Sequence, residues 1–175
     1  MITVDDLKEI CPFSPLSTLG KYVDPLNAAM QEFEINNVLR ETMFLAQVAH
    51  ESGGFHYVEE IASGAAYEGR ADLGNTEPGD GIRFKGRGLI QVTGRANYAA
   101  CGSALGIDLV SNPPLLESPD NAARSAAWFW QSHGLNELAD KGVDYFVAIT
   151  KRINGGTNGL PDRQAYLARA QTVIT

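Results

Sequence analysis

The sequence has few of the residues that mark several special classes of protein. Only two of its 175 residues are cysteine, so it has no disulfide framework, and two thiols cannot complete a structural zinc site alone. No stretch approaches the roughly 18 consecutive apolar residues of a membrane-spanning helix. The first residues also lack the basic and apolar regions of a signal peptide. We therefore expect a chain made in the cytosol, without stable membrane insertion. Cys11 and Cys101 are expected as free or buried thiols, or as one disulfide.

Positive charge is also scarce, because 14 Lys and Arg face 21 Asp and Glu, for a net charge of −7. This balance argues against nucleic acid as a partner, since such binding needs a basic patch. It also disfavours an anionic polymer, unless a local basic cleft offsets it. Arg83, Lys85 and Arg87 are clustered and form either such a cleft or only a solvated turn.

Composition and helical signals indicate one globular, mainly helical domain. Apolar residues make up 44% and charged residues 20% of the chain, which is the globular range, and 175 residues suit a single domain. Capping residues and apolar periodicity predict a series of helices. They begin at a Thr3–Asp6 capping box, at Asp24-Pro25 (to about Phe33), at Asn36 or Asn37 (to Glu51), near Ala96 (to Leu105), at Ser118-Pro119 (ended by Gly134), near Val143 (to Ile153) and at Pro161 (to Val173).

The middle of the chain has a different character. Residues 62–94 contain eight glycines, a density that predicts turns and close backbone approaches rather than helix. Residues 83–85 and 89–92 are candidates for short strands. We expect a helical body that carries one irregular segment, and such segments often carry binding and catalytic groups.

A carboxylate lies where a helix should end. Gly53 and Gly54 follow Glu51 closely, and one of these glycines can adopt the left-handed conformation of a helix C-cap. Glu51 is then in the last helical turn, where the negative end of the helix dipole disfavours a charged carboxylate. A glutamate that retains its proton is what general acid catalysis requires.

A second carboxylate is needed, and Glu60 lies nine positions further on. In one continuous helix the two would lie on opposite faces, about 13 Å apart along the axis. The glycine break allows the chain to fold back and bring Glu60 across a cleft. Glu59 would point the other way in an extended segment, and Glu68 is a third candidate. Spacing alone is more typical of surface glutamates beside a helix end.

Other catalytic motifs are incomplete. A His-Glu-x-x-His metal site would need histidine at position 54, which is glycine. Gln91 stands where a dinucleotide-binding fingerprint needs Gly or Ala. Neither cysteine lies in a recognisable nucleophile context. We expect no metal and no cofactor.

Four blocks of sequence, in order, resemble the family 19 glycoside hydrolases, which include chitinases and many bacteriophage endolysins. The blocks are Ala49-His-Glu-Ser-Gly-Gly-Phe55, Phe84-Lys-Gly-Arg-Gly-Leu-Ile-Gln-Val-Thr-Gly-Arg-Ala-Asn-Tyr98, the stretch from Ile107 to Trp130, and Ile153-Asn-Gly-Gly156 followed by Arg163 and Tyr166. The resemblance is colinear over residues 38–170 and is similar to the bacteriophage and prophage endolysin branch.

The resemblance implies an α+β, predominantly α-helical, lysozyme-like fold with a two-lobed cleft and a small irregular β and glycine-rich segment. It implies a single catalytic domain over residues 1–175, with a helical N-terminal part (residues 1–37) packed on a family-19-like core (residues 38–173). It also implies an inverting mechanism, in which a water fits between the base and the sugar.

Carried over residue by residue, the resemblance makes Glu51 the general acid and Glu60 the general base, with Glu68 kept as an alternative base. Thr93 would hold the attacking water. Arg163 would pair with a carboxylate and lower its pKa, which suits the base. The substrate-binding or network positions are Glu68, Tyr67, Gln91, Asn97, Tyr98, Asn154 and Arg163. Among these, Tyr67 and Tyr98 are candidates for stacking on a sugar ring, whereas Trp128 and Trp130 are expected in the core.

The expected partner is the glycan strand of peptidoglycan, cut at β-1,4 bonds by a monomeric endolysin. Such an enzyme would be made in the bacterial host cytoplasm and would act on the wall in the periplasm after holin-type release, causing lysis. The alternative enzyme is a chitinase acting on N-acetylglucosamine polymers. Two further alternatives are a catalytically inactive sugar-binding domain and a cysteine amidase that uses Cys11 or Cys101.

Overall fold

The computed structural model describes residues 1–175 as a body of short and medium helices. The α-helices are α1 (Val4–Ile10), α2 (Leu16–Leu19), α3 (Val23–Glu32), α4 (Val38–Glu51), α5 (Asp80–Arg83), α6 (Arg95–Leu105), α7 (Pro119–Ser132), α8 (Leu135–Ala139), α9 (Phe146–Asn154) and α10 (Leu160–Val173). Short 3-10 helices cover Ala65–Tyr67, Ala71–Leu73, Pro113–Glu117 and Val143–Tyr145. The prediction of a predominantly helical fold is confirmed.

Capping residues place three helix starts where the sequence predicts them. Thr3 forms a reciprocal capping box with Asp6. Asn37 accepts a hydrogen bond from the backbone of Arg40 at the start of α4, and Ser118 caps α7. These side chains satisfy backbone N–H groups that have no partner inside the helix.

The predicted N-cap of α3 is wrong. The helix begins at Val23, with Tyr22 as its N-cap and without a side-chain cap, so Asp24 lies inside the first turn. An acidic residue there is stabilised by the positive end of the helix dipole without capping the helix.

The core is a single cluster to which the first 37 residues contribute. Helix α4 packs against α10 at the centre, while α1 packs on α10 and α3 on α7. Leu7 and Leu26, from the N-terminal part, are fully buried in the same cluster as Trp130. The Trp130 ring packs edge-on against Phe44, with centroids 5.6 Å apart, so the expectation that Trp130 is a core residue is confirmed. No helix is long and apolar enough to cross a membrane.

The glycine-rich segment is irregular, as predicted, but its expected strands do not form. Instead of strands at residues 83–85 and 89–92, isolated antiparallel bridges join Arg87 to Glu59 and to Val92. The Arg87 and Val92 backbones exchange hydrogen bonds at 3.1 and 2.8 Å across the chain reversal between them, and the pairing does not extend into a regular strand.

An ion pair fastens the start of α4 to the end of α8. The Arg40 guanidinium donates to both carboxylate oxygens of Asp140, at 2.8 and 2.5 Å, and the Asn37 amide donates to the same carboxylate. The hydrogen bonds from Arg40, followed by that from Asn37, lower the pKa of Asp140 to about 2.

We predict that Asp140→Asn lowers the free energy of unfolding at neutral pH by no more than about 1 kcal/mol, because the pair is partly exposed. The folded-state pKa is below the unfolded value, so the stabilisation is complete above about pH 4 and disappears as the pH falls towards 2. Urea unfolding between pH 7 and 3 should show a difference from the wild type that shrinks only below about pH 4. Asp144→Asn, at an exposed carboxylate without an ion pair, is the control. A difference that grows on acidification would contradict this prediction.

Candidate active site

Helix α4 ends at Glu51 because the next residues leave helical geometry. Gly53 and Gly54 have φ values of +58° and +71°, which glycine adopts readily. The Gly54 N–H donates to the Ala49 carbonyl at 2.7 Å, so the glycines close the last helical turn as a C-cap does. A Cβ on Gly54 would lie 2.3 Å from Ser14 Oγ, which leaves no room for another residue. The predicted helix stop is confirmed.

Glu51 is held against a buried guanidinium. Its Oε1 lies 2.5 Å from Nη2 of Arg163, whose side chain is 1% exposed, while that of Glu51 is 21% exposed. This contact does not form a hydrogen bond, and Glu51 Oε1 has no other hydrogen-bond partner in the protein. We therefore describe the contact as an ion pair.

The guanidinium is fixed by two further acceptors. Arg163 Nη1 donates to Gln47 Oε1 at 2.6 Å, and Nε donates to the Asn158 carbonyl at 3.0 Å. Gln47 in turn donates to the hydroxyl of Thr150 at 2.8 Å. These bonds connect α4, α9 and α10 and orient Arg163 towards Glu51.

Arg163 was expected to suit the base by pairing with it, but it contacts Glu51, the residue proposed as the acid. The reason is geometric, because Arg163 extends from α10, which packs along α4. Gln47 was not predicted. It lies one turn before Glu51 on the same face of α4, and a glutamine among apolar neighbours at that spacing is the signal that would have revealed it.

Glu60 lies on the segment after the helix stop and is held by the glycine-rich segment. Its Oε1 accepts a hydrogen bond from the Tyr67 hydroxyl at 2.9 Å, and its Oε2 accepts one from the Gly86 N–H at 3.0 Å. The Glu60 N–H donates to the Gly86 carbonyl at 2.9 Å. Tyr67 therefore positions the carboxylate of Glu60, a role that the sequence did not indicate.

Glu51 and Glu60 line one open groove of about 310 Å³. We call it the acidic groove; its lining residues are Glu51, Tyr57, Glu59, Glu60, Ile61, Ala62 and Gln91. The two proposed catalytic carboxylates therefore share a surface, as the fold-back predicted, and they have separate protein partners.

Glu68 does not line the acidic groove. Its two oxygens accept hydrogen bonds from the N–H groups of Gly79 and Gly81, at 2.7 and 2.8 Å. Both oxygens thus hold the loop that precedes α5. This geometry favours a structural role for Glu68 over the alternative role as base.

A second pocket of about 260 Å³ adjoins the acidic groove, because Gln91 lines both. We call it the Thr93 pocket; Thr93, Asn97 and Trp128 are among its lining residues. The Thr93 hydroxyl donates to the Gln91 carbonyl at 3.0 Å, and the Asn97 amide donates to the Thr93 carbonyl at 2.8 Å. Trp128 is only partly buried here, so the expectation that it is a core residue holds only in part.

Two candidate binding residues lie away from the acidic groove. Tyr98 is fully buried, and its hydroxyl donates to the Lys85 carbonyl at 2.6 Å, so the prediction that it stacks on a sugar is wrong. Burial raises the pKa of Tyr98 to about 12. Asn154 is the last residue of α9 and is exposed, but it lines neither the acidic groove nor the Thr93 pocket.

The side chains of the basic cluster, Arg83, Lys85 and Arg87, all bind partners within the protein. Lys85 Nζ lies 2.8 Å from a carboxylate oxygen of Glu59, and this hydrogen bond lowers the pKa of Glu59. Arg87 is buried and pairs with Glu117 at 2.8 Å, while Arg83 donates to backbone carbonyls. The cluster is therefore neither an open basic cleft nor only a solvated turn.

The cysteines are buried and do not form a disulfide. Burial raises the pKa of both Cys11 and Cys101 to about 12. A thiol that is not ionised is a poor nucleophile, which argues against the cysteine amidase alternative.

Residues 40–149 match the family model of chitinase class I, glycoside hydrolase family 19. The chain belongs to this family. It is therefore a glycoside hydrolase, an enzyme that hydrolyses glycosidic bonds, and the family resemblance stated from the sequence is confirmed.

Relatives include bacterial and plant proteins. A glycosyl hydrolase family 19 domain-containing protein of Haemophilus influenzae is 31% identical and covers 85% of this chain and 86% of its own length. An endochitinase of Arabidopsis thaliana is 42% identical over 64% of this chain. The present chain spans only 38% of that plant protein.

Solved structures confirm the predicted fold. Chitinase C from Streptomyces griseus matches with a TM-score of 0.73 and 25% identity, over 98% of this chain and 74% of its own. A bacterial family 19 chitinase, described as differing from plant enzymes, matches with a TM-score of 0.77 over 97% of this chain and 93% of its own. At 24% identity the second match shows the fold alone.

We predict that Gly86→Ala lowers kcat about 10- to 100-fold, because a small displacement of a positioned group is costly in catalysis. The added Cβ would lie 2.7 Å from Gln91 Oε1 and 3.2 Å from Glu60 Oε2, so it would displace side-chain ends rather than backbone. The midpoint temperature of thermal unfolding should consequently change little. Steady-state kinetics and calorimetry of the same preparation check both parts. Full activity would show that the Gly86–Glu60 contact does not position a catalytic carboxylate.

Proposed function

We propose that this enzyme cleaves β-1,4 bonds between N-acetylated amino sugars by inversion, with Glu51 as general acid and Glu60 as general base. The single observation that carries the proposal is that Glu51 and Glu60 line the same groove with independent partners. Inverting hydrolases use two such carboxyl groups, one on each side of the bond.

In the proposed reaction, protonated Glu51 gives its proton to the glycosidic oxygen as the C1–O bond breaks. A water attacks C1 from the opposite face and passes a proton to Glu60. The products are an alcohol on one fragment and a hemiacetal of inverted configuration on the other. Thr93, in the adjoining pocket, is proposed to orient the water together with Gln91.

The Arg163 contact positions Glu51 for the reaction. The buried guanidinium holds Glu51 Oε1 in the acidic groove. The Glu51 side chain is 21% exposed, so a glycosidic oxygen in the groove can reach its carboxyl group.

Glu60 retains the capacity to accept a proton while it is positioned. Each carboxylate oxygen has two lone pairs, and Tyr67 and Gly86 occupy one on each oxygen. Burial, together with the hydrogen bond to Glu60, raises the pKa of Tyr67. Tyr67 therefore remains a hydroxyl donor at neutral pH.

For the substrate, we propose the glycan strand of peptidoglycan, in an endolysin-type lytic enzyme. The acidic groove is open and is flanked by the exposed side chains of Ile61 and Tyr57, so a strand that carries peptide branches can enter. The Haemophilus influenzae relative is similar over most of both chains, which favours a bacterial role. Synthesis in the host cytoplasm, holin-type release and action as a monomer in the periplasm belong to the same proposal.

A specific observation favours chitin as a second candidate substrate. The basic cluster of Arg83, Lys85 and Arg87 is paired internally. The acidic groove therefore presents carboxylates to its substrate, on a protein whose net charge is −7. An uncharged N-acetylglucosamine polymer avoids the repulsion that acidic peptide branches would meet. The plant relatives are endochitinases by name, which agrees with this alternative.

The two substrates are distinguished by digesting purified peptidoglycan and chitin oligomers and analysing the products by mass spectrometry. New reducing ends from peptidoglycan with little turnover of chitin oligomers would support the wall-lytic role. The opposite pattern would support the chitinase role. Cleavage of a peptide or amide bond would contradict both.

We predict that Glu51→Gln and Glu60→Gln each reduce kcat by about 10²- to 10⁴-fold, the usual contribution of a positioned acid or base. Glu68→Gln should retain kcat and lose about 1 kcal/mol of stability, because it gives up a charge-assisted bond to a backbone amide. Glu59→Gln, in the same groove but paired with Lys85, is the matched control. Loss of kcat in Glu68→Gln with activity retained in Glu60→Gln would transfer the role of base to Glu68.

A further inference from the structure

A third pocket, of about 380 Å³, opens beyond the end of α4 on the side of the N-terminal segment. Its lining includes the Cys11–Pro15 loop between α1 and α2, Gly53, His56, Tyr57 and Tyr166. We call it the Phe13 pocket. Its volume falls within the roughly 300–1,000 Å³ of pockets that hold small ligands.

The Phe13 pocket adjoins the acidic groove at Tyr57. Tyr57 lines both, and a Cβ on Gly53 would lie 2.9 Å from the Tyr57 ring, so the ring lies directly over that glycine. Gly53 is two residues from Glu51, so their Cα atoms are at most about 7.6 Å apart. A polymer in the acidic groove that passes over Tyr57 therefore reaches the Phe13 pocket.

The loop that carries Phe13 is fixed although the ring is exposed. Phe13 is 97% exposed. Lys8 Nζ donates to the carbonyls on either side of it, those of Pro12 and Ser14, at 2.8 and 3.0 Å. The Ser14 hydroxyl donates to the Gly54 carbonyl at 2.8 Å, which fastens the loop to the helix stop. An apolar ring is thus held in water beside the proposed reaction site.

The other side chains of the pocket offer free polar groups. Tyr57 is 49% exposed and Tyr166 is partly buried. The Tyr57 and Tyr166 hydroxyls and the His56 ring nitrogens have no hydrogen-bond partner within the protein. The His56 ring packs edge-on against Tyr57, and the Arg169 guanidinium lies over the Tyr166 ring. Aromatic faces with polar groups at their edges match a pyranose ring, which has an apolar C–H face and hydroxyls around its rim.

We propose that the Phe13 pocket is a further saccharide subsite, in which the N-terminal segment binds an additional sugar of the strand that occupies the acidic groove. Phe13 and Tyr57 stack on sugar faces, and His56 and Tyr166 bond hydroxyl or acetamido groups. The subsite lies partly outside residues 40–149, which match the family model. The inference rests on the proposed function, because its occupant is the same glycan.

The test uses Phe13→Ala, whose exposed site makes misfolding a minor concern, with Ile82→Ala as the matched control at another exposed apolar residue. Turnover of N-acetylglucosamine oligomers of two to eight sugars is measured for each protein. Phe13→Ala should lower kcat/KM about 2- to 10-fold for the longer oligomers, as expected for one lost aromatic contact. The shortest cleaved oligomers and the Ile82→Ala protein should be unaffected. An equal loss at all lengths, or no loss, would overturn the subsite.

A binding measurement separates failure of the subsite from failure of the proposed function. Glu51→Gln protein is titrated with the same oligomers and with peptide-free glycan strands from peptidoglycan, and amide NMR shifts are followed. The subsite predicts shifts in the amides of Cys11, Phe13, Ser14, His56 and Tyr57 only with the longer ligands of at least one series, and the responding series identifies the polymer. Shifts at Glu60 and Gln91 alone would refute the subsite and leave the acidic groove intact. Wild-type protein that binds at both places without turnover would refute the proposed hydrolysis but support the subsite.

Discussion

The ending of α4 immediately after Glu51 is the constraint on which the rest of the site depends. Consecutive left-handed residues stop the helix and reverse the chain, so that a carboxylate nine positions further on returns to the same groove. A continued helix would turn the two apart. The buried packing of α4 on α10 leaves no freedom in where that helix ends, because Arg163 and Gln47 connect its last two turns to the neighbouring helices.

The site contrasts two ways of holding a carboxylate. Glu51 contacts a buried cation from the helical body, whereas Glu60 accepts neutral donors, one hydroxyl and one backbone N–H, from the glycine-rich segment. The helical body and the irregular segment each contribute one group, and the groove lies where they meet. Glycine at position 86 is explained by this contact, since a Cβ there would lie 2.7 Å from Gln91 Oε1 and 3.2 Å from Glu60 Oε2.

The helix starts and the helix stop at Glu51 follow from local sequence, whereas strand pairing and the placement of some side chains depend on tertiary packing. Capping residues such as Asn37 and Ser118, and the glycines after Glu51, act on their own neighbours, so their effects were predictable. The expected strands failed because bridge partners depend on where the chain reverses, which a local pattern does not specify. Tyr98 and Arg163 were misassigned for a related reason: the identity of a side chain indicates what it can contact, but only packing determines whether it faces a groove or the core.

The stereochemistry of the product tests the central claim most directly. If Glu51 and Glu60 act from opposite sides of one bond with a water between them, the first-formed reducing ends must have the configuration opposite to that of the substrate. Proton NMR of a β-1,4-linked oligomer recorded in the first minutes of hydrolysis, before mutarotation, should therefore show the α-anomer in excess. An initial excess of the β-anomer would mean retention through a covalent or assisted intermediate, and would contradict the account of two carboxylates with a water between them.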